Sequence, residues 1–197
     1  MTDAAPVPPT AEREAAVDIV IPTLGRPSLR TVLDALVVRV MPLTADALPE
    51  SIIVVDDRPS PEGPLLAADD VPPQLAGRVR VVRGRAHGPA AARNTGWQAG
   101  TAEWVAFLDD DVLPDQGWYA DLLRDLAALG TDVGGSQGRI VVPVPHHRPL
   151  TDWERTVARM EGAVWATADM AYRRSALEAV GGFDERFQRA FRAPPYW

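Results

Sequence analysis

With 197 residues, 46% of them hydrophobic and 24% charged, the chain has enough apolar material for one well-buried domain and none of the bias of a disordered or fibrous protein. A formal net charge of −7, with arginine at all 20 Lys/Arg positions, excludes non-specific nucleic-acid binding, because there is no basic excess to neutralise phosphates. The absence of cysteine excludes disulfides and thiolate metal sites, and no apolar run approaches the length of a membrane span.

In chain order, residues 1–16 are Pro-rich and acidic and read as a disordered leader unlike a signal peptide. "VDIVIP" is a β-branched run closed by Pro22, a buried first strand. A turn over Thr23–Pro27 follows, with Ser28 as candidate cap of a helix whose face carries Leu29, Val32, Leu33, Leu36, Val37 and Val40. "SIIVVDD" is the second strand, residues 58–77 a long loop with room for one helical turn, and "RVRVVRG" the third strand. "GPAAARNTGWQAG" is a glycine-bounded helix, and "EWVAFL" a fourth strand that runs into Asp109-Asp110-Asp111. The pattern predicts a helix over 118–129, a strand over 138–142 and an amphipathic helix over 151–160. A short strand in "ADMAYRR" and a helix over 175–180 stopped by glycine complete the series. No repeat or linker divides it.

Strands and helices alternating in this way imply an α/β fold with parallel strands joined by crossover helices. Ligands of such sheets bind beyond the carboxyl ends of the strands. Three polar groupings fall at those ends: Thr23 to Arg26, Asp56-Asp57, and the three consecutive aspartates.

Like charges packed this closely need a cation. Oxygen ligands of this kind suit Mg²⁺ or Mn²⁺, which takes one or two carboxylates and fills its shell with water and phosphate oxygens; a solvated acidic turn is the alternative. Asp56 and Asp57 fit either turn chemistry or ligand contact, as acidic strand ends do in dinucleotide sites. Asn94 is the only asparagine of the chain, which marks its side chain as locally important, and Arg93 beside it can counter the acidic cluster or hold a phosphate. His146 and His147 are adjacent, point apart in extended chain and read as a loop. Trp153 and Trp165 are expected in the core, with a stacking platform for a sugar ring as the other use.

Together, "VDIVIPTLGR", "IIVVDD", "GPAAARNTGWQAG", "WVAFLDDDV" and "ADMAYRRSALEAVGGFDERF" resemble, in order, the family 2 glycosyltransferases of the GT-A fold, over 17–187. The resemblance implies a Rossmann-like three-layer α/β/α sandwich around a mostly parallel sheet, a nucleotide-diphosphate sugar donor and a divalent cation, Mg²⁺ or Mn²⁺. It implies that Pro22, Thr23 and Arg26 line the nucleotide pocket, that Asp56 contacts the base and that Arg93 lies near the nucleotide. Asp109 and Asp111 correspond to the ends of the family's Asp-X-Asp motif, and Asp110 between them is expected, with Asp109, among the nucleotide-sugar-binding residues. Asp109 faces the ribose and shares the metal with Asp111, which holds it on the diphosphate. Inverting transfer to an acceptor hydroxyl, assisted by a carboxylate base, is the implied chemistry. The acceptor stays open among glycan, lipid and small molecule, and cell-envelope polysaccharide synthesis is the implied setting.

The family pattern places an acidic pair shortly after the Phe-Asp-Glu-Arg-Phe stretch. Here Ala193 and Pro194 stand there, so 17–192 is expected to be a family domain lacking its C-terminal part, with 193–197 a tail outside the pattern. Asp184 and Glu185 are the nearest acids but precede the base in the family pattern, and Asp169 is another acceptor-side candidate that nothing local marks as a base. A donor-binding module without transfer activity is therefore the competing expectation. A nicotinamide enzyme is disfavoured because "PTLGRPS" lacks Gly-X-Gly-X-X-Gly, and a nucleotidyltransferase because the first loop is not basic and glycine-rich. A cytoplasmic chain is expected, with a peripheral position at the inner face of a membrane left open.

Overall fold

The computed structural model describes residues 15–40 and 48–186. The expected leader over 1–14, the side chain of Val40, Phe187, and Ala193 and Pro194 with the tail lie outside the described residues. Six strands form one sheet in the order β3-β2-β1-β4-β6-β5. They are β1 (Val17–Thr23), β2 (Ser51–Asp56), β3 (Val79–Arg83), β4 (Trp104–Leu108), β5 (Gly135–Gln137) and β6 (Asp169–Arg173). The first four pair in parallel, and β6 runs antiparallel to both β4 and β5.

The continuous apolar runs of β1, β2 and β4 are buried because helices cover both faces. Side chains alternate across the sheet. Ile19, Ile21, Trp104 and Leu108 therefore pack with Leu29, Leu33 and Leu36 of α1 (Ser28–Val40) and with Tyr119 and Leu126 of α3 (Trp118–Ala128). On the other face Val20, Ile53, Val55 and Phe107 pack with Ala92 and Trp97 of α2 (Pro89–Ala99) and Leu177 of α5 (Arg174–Val180). The three-layer sandwich expected from the sequence is the architecture found. Gly96 lets α2 lie directly on the sheet: a Cβ there would stand 2.3 Å from Val20 Cγ1 and 3.0 Å from Val55 Cγ2.

Several local expectations are corrected. Ser28 is the first residue of α1, not the residue before it, because the turn already closes with Leu29 N–H donating to the Arg26 carbonyl at 3.1 Å. The loop over 58–77 holds two 3₁₀ turns, Ala68–Asp70 and Pro73–Leu75. The expected strand over 138–142 is instead β5 at Gly135–Gln137. Pairing with β6 decides it: Gln137 stands opposite Met170, the ladder ends with Gly138 N–H on the Asp169 carbonyl at 3.0 Å, and Ile140–Val142 find no strand partner. The helix over 151–160 is shorter, α4 (Asp152–Ala158) followed by a 3₁₀ turn, Arg159–Gly162. It is capped by Thr151 and Glu154, and none of its residues is buried. Trp153 and Trp165, expected in the core, are 75% and 68% exposed.

Candidate functional site

Strand order reverses between β1 and β4, since β2 and β3 continue from one side of β1 and β4 from the other. A crevice opens at such a switch point, beyond the carboxyl ends of the strands. Here it is a cleft of about 240 Å³ whose wall includes Thr23 and Arg26 after β1, Asp109, Asp110 and Asp111 after β4, and Arg93 on α2. Pro22, Leu24, Asp57 and the start of α2, Gly88 and Pro89, complete much of the remaining wall. Six residues that the sequence spreads over 88 positions thus share one cavity.

The three aspartates diverge. Asp109 accepts from Arg93 Nη2 at 2.6 Å. Asp110 turns back under β1, where it accepts from Thr23 Oγ1 at 2.5 Å and from Arg26 Nη1 at 3.4 Å. Asp111 accepts from Arg26 Nη1 at 2.8 Å. Two arginines and a hydroxyl therefore hold the acids together. Burial drives the Asp110 carboxyl above its ordinary range, against the Thr23 hydrogen bond and the Arg26 charge, which pull the other way. Its side chain is 7% exposed, against 54% for Asp111 and 34% for Asp109. Asp109 and Asp111 are the acids a ligand can reach; Asp110 is the brace that ties the β4 end to the β1 end.

Arg93 Nε is buried with no hydrogen-bond partner among the described residues. The same guanidinium meets Asp109 through Nη2 in the wall of the cleft.

Asp56 stands apart from this group. It is buried and accepts from Arg58 Nε at 2.9 Å and Arg58 Nη2 at 2.8 Å, with Arg83 Nη1 at 3.2 Å. The Arg58 hydrogen bond holds its carboxyl below the ordinary range. Asp57, which the sequence did not separate from its neighbour, lines the cleft. It accepts from the backbone N–H groups of Ala86 and Gly88 at 2.7 and 2.9 Å, and so sets the loop that leads into α2. Its place one residue past the apolar strand was the available signal.

Asn94 does not line the cleft; it is a clip. Its Nδ2 donates to the Phe183 carbonyl and to Glu185, and its Oδ1 accepts from Phe183 N–H and Trp97 Nε1, all within 2.8–3.1 Å. Gly182, at φ 79°, has no room for a Cβ, which would fall 2.4 Å from Asn94 Oδ1. Asp169 also lies off the cleft. Burial raises its carboxyl, which accepts from Trp118 Nε1 at 2.9 Å. His146 and His147 belong to irregular chain. Among the described residues no three His, Cys, Asp or Glu side chains converge as a metal site, and no helix is long and apolar enough to cross a membrane.

The profile of the family described as Glycosyl transferase family 2 matches residues 18–181. The chain belongs to family 2 of the glycosyltransferases. This glycosyltransferase-family chain is 38% identical over 111 residues to the pre-mycofactocin glycosyltransferase of Mycobacterium tuberculosis, in strains CDC 1551 / Oshkosh and H37Rv, an overlap of 50% of this chain and 23% of that protein. It therefore spans less than a quarter of that relative's length. A mannosyltransferase from Pyrobaculum calidifontis, solved with GDP-Man and Mn²⁺, matches with TM-score 0.60 and 23% identity, over 93% of this chain and 51% of that one. GalNAc-T7, solved with UDP, GalNAc and Mn²⁺, gives TM-score 0.58 at 18% identity over 89% and 38%. TarS of S. aureus gives 0.56 at 17% over 88% and 31%. At these identities the likeness speaks for the fold, and it agrees with the GT-A architecture read from the sequence.

Proposed function

We propose that the cleft binds the diphosphate of a nucleotide-sugar donor and that the chain serves transfer of the sugar to an acceptor hydroxyl. The observation that carries this reading is the convergence of Arg26, Arg93 and the reachable carboxylates of Asp109 and Asp111 at the β1/β4 switch point. Arg26 and Arg93 are matched to phosphate oxygens by their planar donor groups. The first turn of α2 borders the same cavity, where a helix start favours negative charge. Thr23 and Asp110 hold the two strand ends in register around the ligand. Pro22 lines the wall; Asp56 acts on the nucleotide side through Arg58 and Arg83, and its contact with the base belongs to this proposal.

The carboxylates fit a hard divalent ion that takes one or two protein oxygens and completes its shell with substrate and water. Asp111 and Asp109 would hold it. When bound, Mg²⁺ or Mn²⁺ supplies Lewis-acid stabilisation of charge on the leaving diphosphate. GDP-Man with Mn²⁺ in one solved neighbour and UDP, GalNAc and Mn²⁺ in another support the reading, as does the glycosyltransferase name of the curated relative. Inversion at the anomeric centre follows the family pattern. A second reading, donor binding without transfer, is favoured by Ala193 and Pro194 at the positions of the family's acidic pair.

The test is thermal shift and calorimetry with UDP, GDP and ADP in Mn²⁺, in Mg²⁺ and in chelator. Binding at least tenfold tighter with metal is expected, because the acids otherwise repel the diphosphate. Equal affinity in chelator refutes the metal assignment, and no binding of any nucleotide refutes the donor site. Sugar transfer assayed on the same preparation separates the two readings.

A further inference from the structure

Trp165 combines features that burial does not explain. Its backbone sits at φ 65°, a left-handed conformation unfavourable for an L-residue, yet its indole remains in solvent. Gln137, the last residue of β5, clamps the loop from both sides. Its Oε1 accepts from Trp165 N–H, and its Nε2 donates to the Ala163 carbonyl at 2.7 Å. A turn with Asp169 N–H on the Ala166 carbonyl at 3.4 Å then leads straight into β6. Strained residues held by surrounding structure cluster at active sites and ligand clamps.

The position of the loop in the sheet gives it meaning. Asp169 stands opposite Leu108, the residue before the acid cluster, and Gln137 stands opposite Met170. Gln137 and its loop therefore lie at the same end of the sheet as Asp109–Asp111. Two strand spacings separate β5 from β4, about 10 Å, the width of one or two sugar rings.

We infer that Trp165 is a stacking platform for a pyranose ring of a carbohydrate acceptor, presented by the Gln137 clamp beside the donor cleft. The inference rests on the reading of that cleft as a donor site. A pyranose offers a face of C–H groups that packs on the electron-rich face of an indole, and the planar Gln137 amide beside it fixes the loop that carries the ring. An anionic membrane surface fits less well. Arg148 and Arg155, on the chain leading to this loop, are each paired with a carboxylate, Glu154 and Asp152, and the chain carries a net charge of −7.

The experiment titrates the full chain with maltotetraose, cellotetraose and mannotetraose by calorimetry, with and without UDP or GDP and Mn²⁺. Trp165→Ala should weaken saccharide binding tenfold or more while leaving the nucleotide dissociation constant within twofold. Trp165→Phe should retain binding within about threefold. Trp165→Gly should melt no lower than wild type, since glycine accepts φ 65°, and still lose the saccharide; a structural role predicts the reverse. Absence of saccharide binding by the wild-type chain, or binding unaltered in Trp165→Ala, overturns the inference. So does a Trp165-dependent interaction with phosphatidylglycerol vesicles, or a Trp165-dependent dimer in ultracentrifugation, in place of saccharide binding. Failure of nucleotide binding alone strikes the donor reading and is read from a separate titration.

Discussion

In β1, β2 and β4 nearly every residue is buried between two helical layers, whereas α4, on the segment leading from β5 to β6, buries none. The acids and Thr23 of the cleft stand at the ends of the buried strands, where the backbone cannot shift without disturbing the core. The polar groups of the second region are held by one another near the surface, as Glu154 is by Arg148 and Thr151 and the Trp165 loop is by Gln137. Rigid placement suits the diphosphate end of a ligand, whose charge and spacing do not vary between donors. A region with its aromatic residues in solvent has its geometry completed by whatever it contacts.

The largest effect is expected from cutting a tie inside the buried region. Asp18, buried at the amino end of β1, accepts from Ser51 Oγ at 2.6 Å, from the Thr101 and Ala102 N–H groups at 2.9 Å, and from Arg174 Nη2 at 2.9 Å. Arg174 opens α5, so one carboxylate joins the parallel strands to that helix. Asp18→Ala leaves a mostly buried guanidinium without its ion partner, and urea denaturation should read a loss of about 3–5 kcal/mol. Hydrogen exchange should rise together in α5 and the loop after α2.

Asn94 makes a second tie, within one face. Asn94→Ala strands the Phe183 N–H and carbonyl and the Trp97 indole N–H, which should cost about 2–3 kcal/mol in the same assay. Nucleotide affinity should change little, because Asn94 does not line the cleft.

Titration sharpens the comparison, because an acid in each region responds to pH with opposite sign. Asp56 is held below its ordinary value of 3.8 by the Arg58 hydrogen bond. Its pairing adds stability above that value and loses it as pH falls through the lower native one. Asp56→Asn should therefore cost about 1–2 kcal/mol at pH 7, with the gap to wild type closing below pH 3.8. Asp169 is raised by burial, so the native state favours its proton. The penalty on its charged form is present at pH 7 and disappears as pH falls from the raised native value towards 3.8. Asp169→Asn keeps an oxygen for Trp118 and should melt higher than wild type at pH 7, with the advantage fading in acid. Melting curves between pH 2 and 7.5 read both.

The buried region was the legible one. Runs such as "IIVV" and "WVAFL" can only be strands covered on both sides, and acids placed straight after them mark the sheet end where ligands bind. Asn94 announced itself by being alone of its kind, though not by its partner at Phe183, 89 residues away. Asp18 gave no signal: inside an apolar run it reads as an interruption, and its guanidinium partner is 156 residues distant. β5 was misplaced because "GSQ" has little strand propensity, and only pairing with β6 makes it a strand. Trp153 and Trp165 were misjudged for a related reason. Hydrophobicity predicts that a side chain leaves water, but which surface covers it is a property of the whole assembly.

The smallest expected effect concerns Trp153. It lies in a helix capped by Thr151 and Glu154 and laced by the Arg155–Asp152 pair, so the helix does not depend on the indole. With 75% of its surface in water, truncation opens no cavity and strands no buried donor. Trp153→Ala should change stability by less than about 0.5 kcal/mol. Trp104→Ala, at a residue 1% exposed in the core beneath Arg173, should cost about 3–5 kcal/mol. Equal losses at the two tryptophans would mean that α4 is packed in solution, and the division of the molecule into a buried and an open region would fall. Near-silence at Trp153 beside a large loss at Trp104 places the indole of α4 outside the packing that holds the fold.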